Sequence, residues 1–382
     1  MKNGFGQFVR RVCTDVADTD KALVDIIAGL GREAMTGIIL FAAPKYDLGM
    51  LGRALSKAFP DAVIAGCTTA GEIGDAGYAD DSVVAIGFPR ENFFVSATEI
   101  QDLNGLNFRK VAAEVLALRN DVVANEPDWT SEFATLLVDG TSRREDTLVS
   151  AIMPALGTTQ LFGGSAGNGL NFENTKILYG GTVRDSGAIL LLFRSRCPVR
   201  VFRFDNFIPT ETRMVVTDAD AGERIVRTIN AEPAAREYAR LVGKDPDQLT
   251  PFIFAAHPVV VRVGGQHHVR AIQKVDETGY LRFFSAVDEG LVLTVAKGHD
   301  IASHLEQALH SLEIEAEPDA IIVYDCILRR LDAEQSQSIQ SVSKILSDHR
   351  VVGFSTYGEQ HNSLHVNQTF TGVAIYPPED GI

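Results

Sequence analysis

Apolar residues in this chain come in short unbroken runs, each followed by a segment of helical spacing. Gly37-Ile-Ile-Leu-Phe41, Ala134-Thr-Leu-Leu-Val-Asp139 and Ala320-Ile-Ile-Val-Tyr-Asp325 are strand-sized and largely apolar, so they read as strands covered on both faces. After them, apolar positions recur three and four apart: Leu48, Leu51 and Leu55; Leu148, Ile152 and Leu156; Ile339, Val342, Ile345 and Leu346. That is the stripe of an amphipathic helix. Asp47, the neighbourhood of Thr147, and Asp332 are expected as helix caps, with Asp332 and Gln335 in capping-box spacing. A second apolar run then enters a glycine turn: Gly66-Cys-Thr-Thr-Ala-Gly-Glu72, Gly163-Gly-Ser-Ala-Gly-Asn168 and Gly353-Phe-Ser-Thr-Tyr-Gly-Glu359. A further strand follows each turn, beginning near Ser82, Gly187 and Thr371. The pattern is a divergent repeat of three right-handed strand–helix–strand units.

Other elements lie between the repeats. Val111, Val115 and Leu118 mark a helix, as do Ile301, Leu305, Ala308 and Leu312. Pro198 to Phe204 and Arg213 to Val216 read as strands, and Phe252 to Leu293 as antiparallel strands turning at Gly264-Gly265 and Gly279. The best boundary falls at Ala219 to Gly222, which divides the chain into 1–220 and 221–382. The expected class is α/β: two related halves built from repeated strand–helix–strand units, with mixed sheets and antiparallel additions.

The balance of 35 Lys and Arg against 50 Asp and Glu leaves a net charge of −15 over 382 residues. Without a basic run, such a surface repels nucleic acid and anionic membrane. No apolar stretch is long enough for a transmembrane helix and no signal core follows Met1, so a cytoplasmic location is expected. Cys13, Cys67, Cys197 and Cys326 are scattered and form no CxxC pair.

Candidate chemistry gathers at the strand ends, where open α/β sheets bind ligands. Glu72, Asn168, Tyr357 and Glu359 would stand there as polar groups at a pocket mouth. The glycine turns lead into strands rather than helices, which favours turns requiring positive φ over phosphate loops. Gly163 to Gly167 matches GxSxG, and Asp205 and His257 follow in hydrolase order, but no helix opens after Ser165 as a nucleophile elbow needs. Threonines at the matching places, Thr69 and Thr356, also speak for a structural hydroxyl. The nine histidines all lie in the C-terminal half. His257 and His365 are candidate iron ligands, since one imidazole in an apolar pocket suffices to hold a heme. Arg270, inside an alternating strand, would need a carboxylate or an anionic ligand if it points inward.

Together these motifs resemble the FIST family, bacterial sensory proteins with N-terminal and C-terminal FIST domains. The likeness rests on the three glycine turns, the Ser82 to Phe88 strand, His257-Pro258, Val269-Arg270-Ala-Ile272, Asp288-Glu-Gly290 and His365-Val-Asn-Gln-Thr369. It covers the chain from about residue 30 to the end. The resemblance implies a non-catalytic, stand-alone sensor that binds a small molecule and regulates a sensor histidine kinase or a cyclic-di-GMP enzyme. Its sharpest version is a nitric oxide sensor carrying heme b. The alternatives are an amino-acid or small-metabolite sensor, with Glu72, Arg270, Tyr357 and Glu359 facing the ligand's charges, and a hydrolase using Ser165. A homodimer is left open.

Overall fold

A computed structural model describes residues 7–378. In chain order, β1 (Arg10–Thr14) and α1 (Thr19–Leu30) precede the first unit. That unit is β2 (Met35–Ala42), α2 (Leu48–Ala58), β3 (Val63–Thr68), a hairpin of β4 (Glu72–Gly74) and β5 (Gly77–Ala79), and β6 (Val83–Pro89). Then come β7 (Phe93–Ile100) and α3 (Phe108–Asn125). The second unit is β8 (Ser131–Val138), α4 (Glu145–Leu156), β9 (Gln160–Ser165), a hairpin of β10 (Ile177–Tyr179) and β11 (Thr182–Arg184), and β12 (Ala188–Ser195). It is followed by β13 (Val199–Asp205).

A small antiparallel sheet intervenes. Its strands are β14 (Phe207–Asp220), β15 (Ile225–Ile229), β16 (Glu232–Pro233), β17 (Val259–Val263), β18 (Gln266–Arg270), β19 (Ile272–Val275), β20 (Leu281–Phe283) and β21 (Val292–Gly298). Helices α5 (Ala234–Val242) and α6 (Pro251–Ala256) pack within it, and α7 (Ile301–His310) leads out. The third unit is β22 (Ala320–Cys326), α8 (Ile327–Gln335), α9 (Ile339–Asp348), β23 (Val351–Thr356), a hairpin of β24 (Glu359–His361) and β25 (Leu364–Val366), and β26 (Thr369–Ile375).

The three units build three six-stranded sheets of one plan. Their orders are β1-β6-β2-β3-β10-β11, β7-β12-β8-β9-β24-β25 and β13-β26-β22-β23-β4-β5. In each, the first and second strands of a unit run parallel, as Leu40 beside Gly66 and Val323 beside Gly353 illustrate. The last strand is antiparallel to the first. The hairpin, however, is never its own. Unit two lends β10 to β3, unit three lends β24 to β9, and unit one lends β4 to β23.

The inner faces of the sheets share one core containing Phe41, Phe133, Phe162, Tyr324 and Phe354. Rings from different units touch there: Phe41 stacks on Phe354 at 4.6 Å between centroids, and Phe162 lies 4.9 Å from Tyr324. The outer faces bury separate clusters under α1 and α2, under α3 and α4, and under α7 and α9.

The expected class is what the chain adopts, and the three units read from the repeat complete the ring of sheets. Asp47 caps α2, accepting from the Met50 amide at 2.8 Å. Two other capping expectations are corrected. Thr147 lies inside α4, whose cap position is Arg144 with no side-chain bond. Asp332 lies inside α8, which begins at Ile327 as a helix of its own; the apolar stripe after residue 339 gave no sign of it.

The second strands approach their neighbours closely. A Cβ on Gly66 would overlap the Leu40 carbonyl oxygen, one on Gly163 would stand 2.9 Å from that of Leu136, and one on Gly353 would overlap that of Val323. We expect Gly66→Ala to lose about 1–3 kcal/mol, the usual cost of overpacking. Gly222→Ala, which meets only Asp220 Oδ1 at 3.5 Å, is expected to be nearly neutral. Urea unfolding of both variants checks the contrast.

Candidate functional site

A cleft of about 760 Å³ lies between unit two and the small sheet. One wall is Gly140 and Thr141 at the end of β8, with the loop through Asn171 to Asn174. The other is Gln273 to Thr278 and Arg282 to Phe284. Glu145, Arg224 and Tyr357 line it as well.

Two anchors fix the loop over the cleft. The Tyr357 hydroxyl accepts from the Asn168 and Phe172 amides at 2.8 and 3.0 Å and donates to the Gly169 carbonyl at 3.0 Å. Asp139 Oδ1 accepts from the hydroxyls of Thr141 and Thr175, both at 2.7 Å. The rings of Phe172, Tyr357 and Phe284 pack together, with Phe172 4.9 Å from Tyr357 and 5.4 Å from Phe284.

Behind this wall lies a buried polar network. Glu145, in the first turn of α4, is 2% exposed and accepts from Arg224 Nη2 at 2.5 Å. Its other oxygen accepts from the Ser165 hydroxyl at 3.2 Å. Burial pushes the Glu145 carboxyl up, but Arg224, followed by His365, outweighs it and holds the group below the usual carboxylate range. Arg224 belongs to the small sheet, where it also donates to the Phe284 carbonyl, so its bond to Glu145 ties that sheet to unit two.

Gln360 Nε2 stands 3.2 Å from the Gly358 carbonyl, 3.3 Å from Ser165 Oγ and 3.3 Å from His365 Nδ1. The carbonyl fixes that atom as the amide nitrogen, so it donates to the imidazole and the ring proton is assigned to Nε2. Burial lowers the His365 pKa against the attraction of Glu145 and Asp146. Among the described residues its Nε2 has no partner, nor do the amide atoms of Asn367 or Nε and Nη1 of Arg270.

The sequence candidates therefore divide. Tyr357 lines the cleft, Asn168 lies in the loop that walls it, His365 belongs to the network behind, and Arg270 makes no hydrogen bond to that network among the described residues. Glu72 and Glu359 are at the strand ends but wholly buried, not at a pocket mouth. Glu72 accepts from the Thr69 hydroxyl and from the amide and hydroxyl of Ser82 at 3.0 and 2.8 Å. Glu359 accepts from the amide and hydroxyl of Thr369 at 3.1 and 2.9 Å. These bonds clamp each hairpin to its following strand, and burial raises both carboxyl pKa values.

His257 ends α6, and its carbonyl accepts from Tyr238; no hydrogen bond joins it to the network. Among the glycines, Gly71 has φ +128°, as a turn glycine should, but Gly358 does not need positive φ. Gly358 is required for space, since a Cβ there would lie 2.5 Å from His365 Cε1 and 3.0 Å from Asn367 Nδ2. Sequence reasoning missed Glu145, Arg224, Gln360 and Asn367. They are isolated polar residues in three distant segments, and no periodicity marks them.

Two family models cover most of this architecture. The FIST N domain matches residues 36–232 and the FIST C domain residues 234–362. The chain belongs to the FIST family. FIST domains are sensory domains in signal transduction. A crystal structure of a chorismatase is 11% identical with a TM-score of 0.34, over 96% of this chain and 98% of the other. No curated protein matches. No helix among the described residues is long and apolar enough to cross a membrane. Among the same residues, no group of three or more His, Cys, Asp or Glu could hold a metal ion.

The imidazoles make a pH prediction. His361, at the end of β24, has its pKa lowered from 6.5 to about 4, chiefly by burial and then by Arg203. A depressed folded-state pKa gives stability that is complete above the unfolded value and is lost as pH falls toward the folded one. Between pH 6.5 and 4 the His361 contribution should fall by about 3 kcal/mol. Urea unfolding of wild type and His361→Gln at both pH values should show their difference changing by this amount; a constant difference would refute it.

Proposed function

We propose that this FIST protein senses a small polar molecule bound in the cleft and passes the change to a signalling partner, without turning the molecule over. The observation that carries the reading is the cleft's construction from two parts of the fold, joined at its edge by the buried Glu145–Arg224 pair. Its volume suits a metabolite-sized ligand. A ligand touching both walls would favour one relation of the small sheet to unit two. A partner that distinguishes those states would read binding as a change in its own affinity. A sensor histidine kinase or a cyclic-di-GMP enzyme fits that role, in the cytoplasm, with neither nucleic acid nor membrane as partner.

Within this reading an amino acid or another small metabolite is favoured over heme and nitric oxide. The residues do not fit heme b. His365 Nε2 carries its proton, because Nδ1 accepts from Gln360, and its surroundings include Glu145, Asp146, Arg224 and Arg270 rather than an apolar pocket. Neither His365 nor His257 lines the cleft.

A Ser165 hydrolase has less support still. The Ser165 hydroxyl is fully buried and donates to Glu145. The nearest imidazole in its network, His365, bonds to Gln360 instead. Background esterase rates should be equal in wild type and Ser165→Ala.

Thermal unfolding against a panel of amino acids and central metabolites tests the sensor. A true ligand at a hundred times its Kd should add about 2.7 kcal/mol of stability. Tyr357→Phe, which releases the 168–172 loop, should weaken that ligand about tenfold by calorimetry, the scale of one or two lost hydrogen bonds. If no compound stabilises the protein while its partner still responds to it, the chain is an adaptor and not a sensor.

A further inference from the structure

We propose that Arg270, His365 and Asn367 form a subsite that anchors a carboxylate group of the ligand, behind the Glu145–Arg224 pair. The inference rests on the sensor reading and adds the chemical class of what is bound.

The starting observation is a cation without an acceptor. Arg270 ends β18, and its guanidinium makes no hydrogen bond among the described residues; Nε and Nη1 are buried and unpartnered. Asp146 and Asp288 lie near enough to favour its charge, but burial outweighs them and lowers its pKa. An unpaired buried cation is costly, and a guanidinium is shaped to satisfy an oxyanion.

Two neutral donors stand with it. His365 is 3% exposed, and its Nε2, which bears the proton, has no acceptor. Asn367 is fully buried with neither amide atom paired. Both side chains lie within 3.1 Å of the place where a Gly358 Cβ would be, so they are neighbours. β25, which carries His365, packs against β18, which ends at Arg270. None of these atoms is spent on the fold. By contrast, Glu72 and Arg224 have their hydrogen bonds within the protein.

A carboxylate suits the subsite better than a phosphate. Glu145 and Asp146 both act on His365, and their field opposes a second negative charge near one guanidinium. A monoanion is matched by Arg270 and receives further hydrogen bonds from the imidazole and the amide.

The test reads Arg270 directly. The Nε–H resonance of Arg270, assigned by its absence in Arg270→Lys, is followed in ¹⁵N-labelled protein titrated with acetate, propionate or benzoate. Acetamide, propionamide, benzamide and inorganic phosphate serve as comparisons at matched ionic strength. The proposal expects the carboxylates to shift this resonance and the amides to leave it in place. A response to phosphate with none to the carboxylates overturns it, as does silence to both anions.

The backbone signals of Phe172 and Phe284 separate the two readings. If amides move them while Arg270 stays silent, the cleft binds ligands and only the anion subsite fails. If nothing moves either, the sensor reading fails too. Unfolding of Arg270→Met gives a second check. Without added anion it should be no less stable than wild type, because an unpaired charge is removed, whereas Glu145→Gln should be destabilised. An equal loss in both variants would make Arg270 a structural residue and overturn the proposal.

Discussion

The structure depends on a backbone constraint: the second strand of each unit has an open edge that its own unit does not fill. A buried edge must pair its amides and carbonyls. Here the edge of β3 is filled by unit two, that of β9 by unit three and that of β23 by unit one. The exchange runs in a closed ring, so no unit is complete alone. The edge strands obey the same logic, with β7 pairing into the sheet of unit two and β13 into that of unit three, while β1 fills the corresponding place in unit one.

Exchange also explains the inner core and the buried acids. Three sheets held by each other's hairpins turn their inner faces together, and aromatic rings from all three units fill the space. The hairpins leave their units through sharp turns, which Glu72 and Glu359 stabilise by binding the start of the next strand. In unit two, Asn168 stands at the corresponding place, and its amide bonds the Glu173 carbonyl at 3.0 Å. The longer loop that follows carries Phe172 to the cleft. The departure from threefold likeness and the candidate site therefore coincide.

The small sheet completes that site. It enters between units two and three in sequence, and its Arg224 reaches Glu145 and the Phe284 carbonyl. A polar network assembled across such a joint is sensitive to small displacements, because each buried hydrogen bond is strong only in one geometry. That property suits a sensory domain.

The sequence by itself determined the local elements. Short apolar runs, helical stripes and the glycine turns identified the three units and the class, since strand burial and helix amphipathicity are written in neighbouring residues. They also brought Tyr357, Asn168, His365 and Arg270 forward as polar residues at strand ends or within strands. Only the tertiary structure decided which unit each hairpin joins, because the pairing edges are alike and nothing local chooses among them. That choice set Gln360 beside Ser165, 195 positions away, and turned Glu72 and Glu359 into clamps. It also brought Glu145 to Arg224, 79 positions away, a meeting that depends on where the small sheet packs.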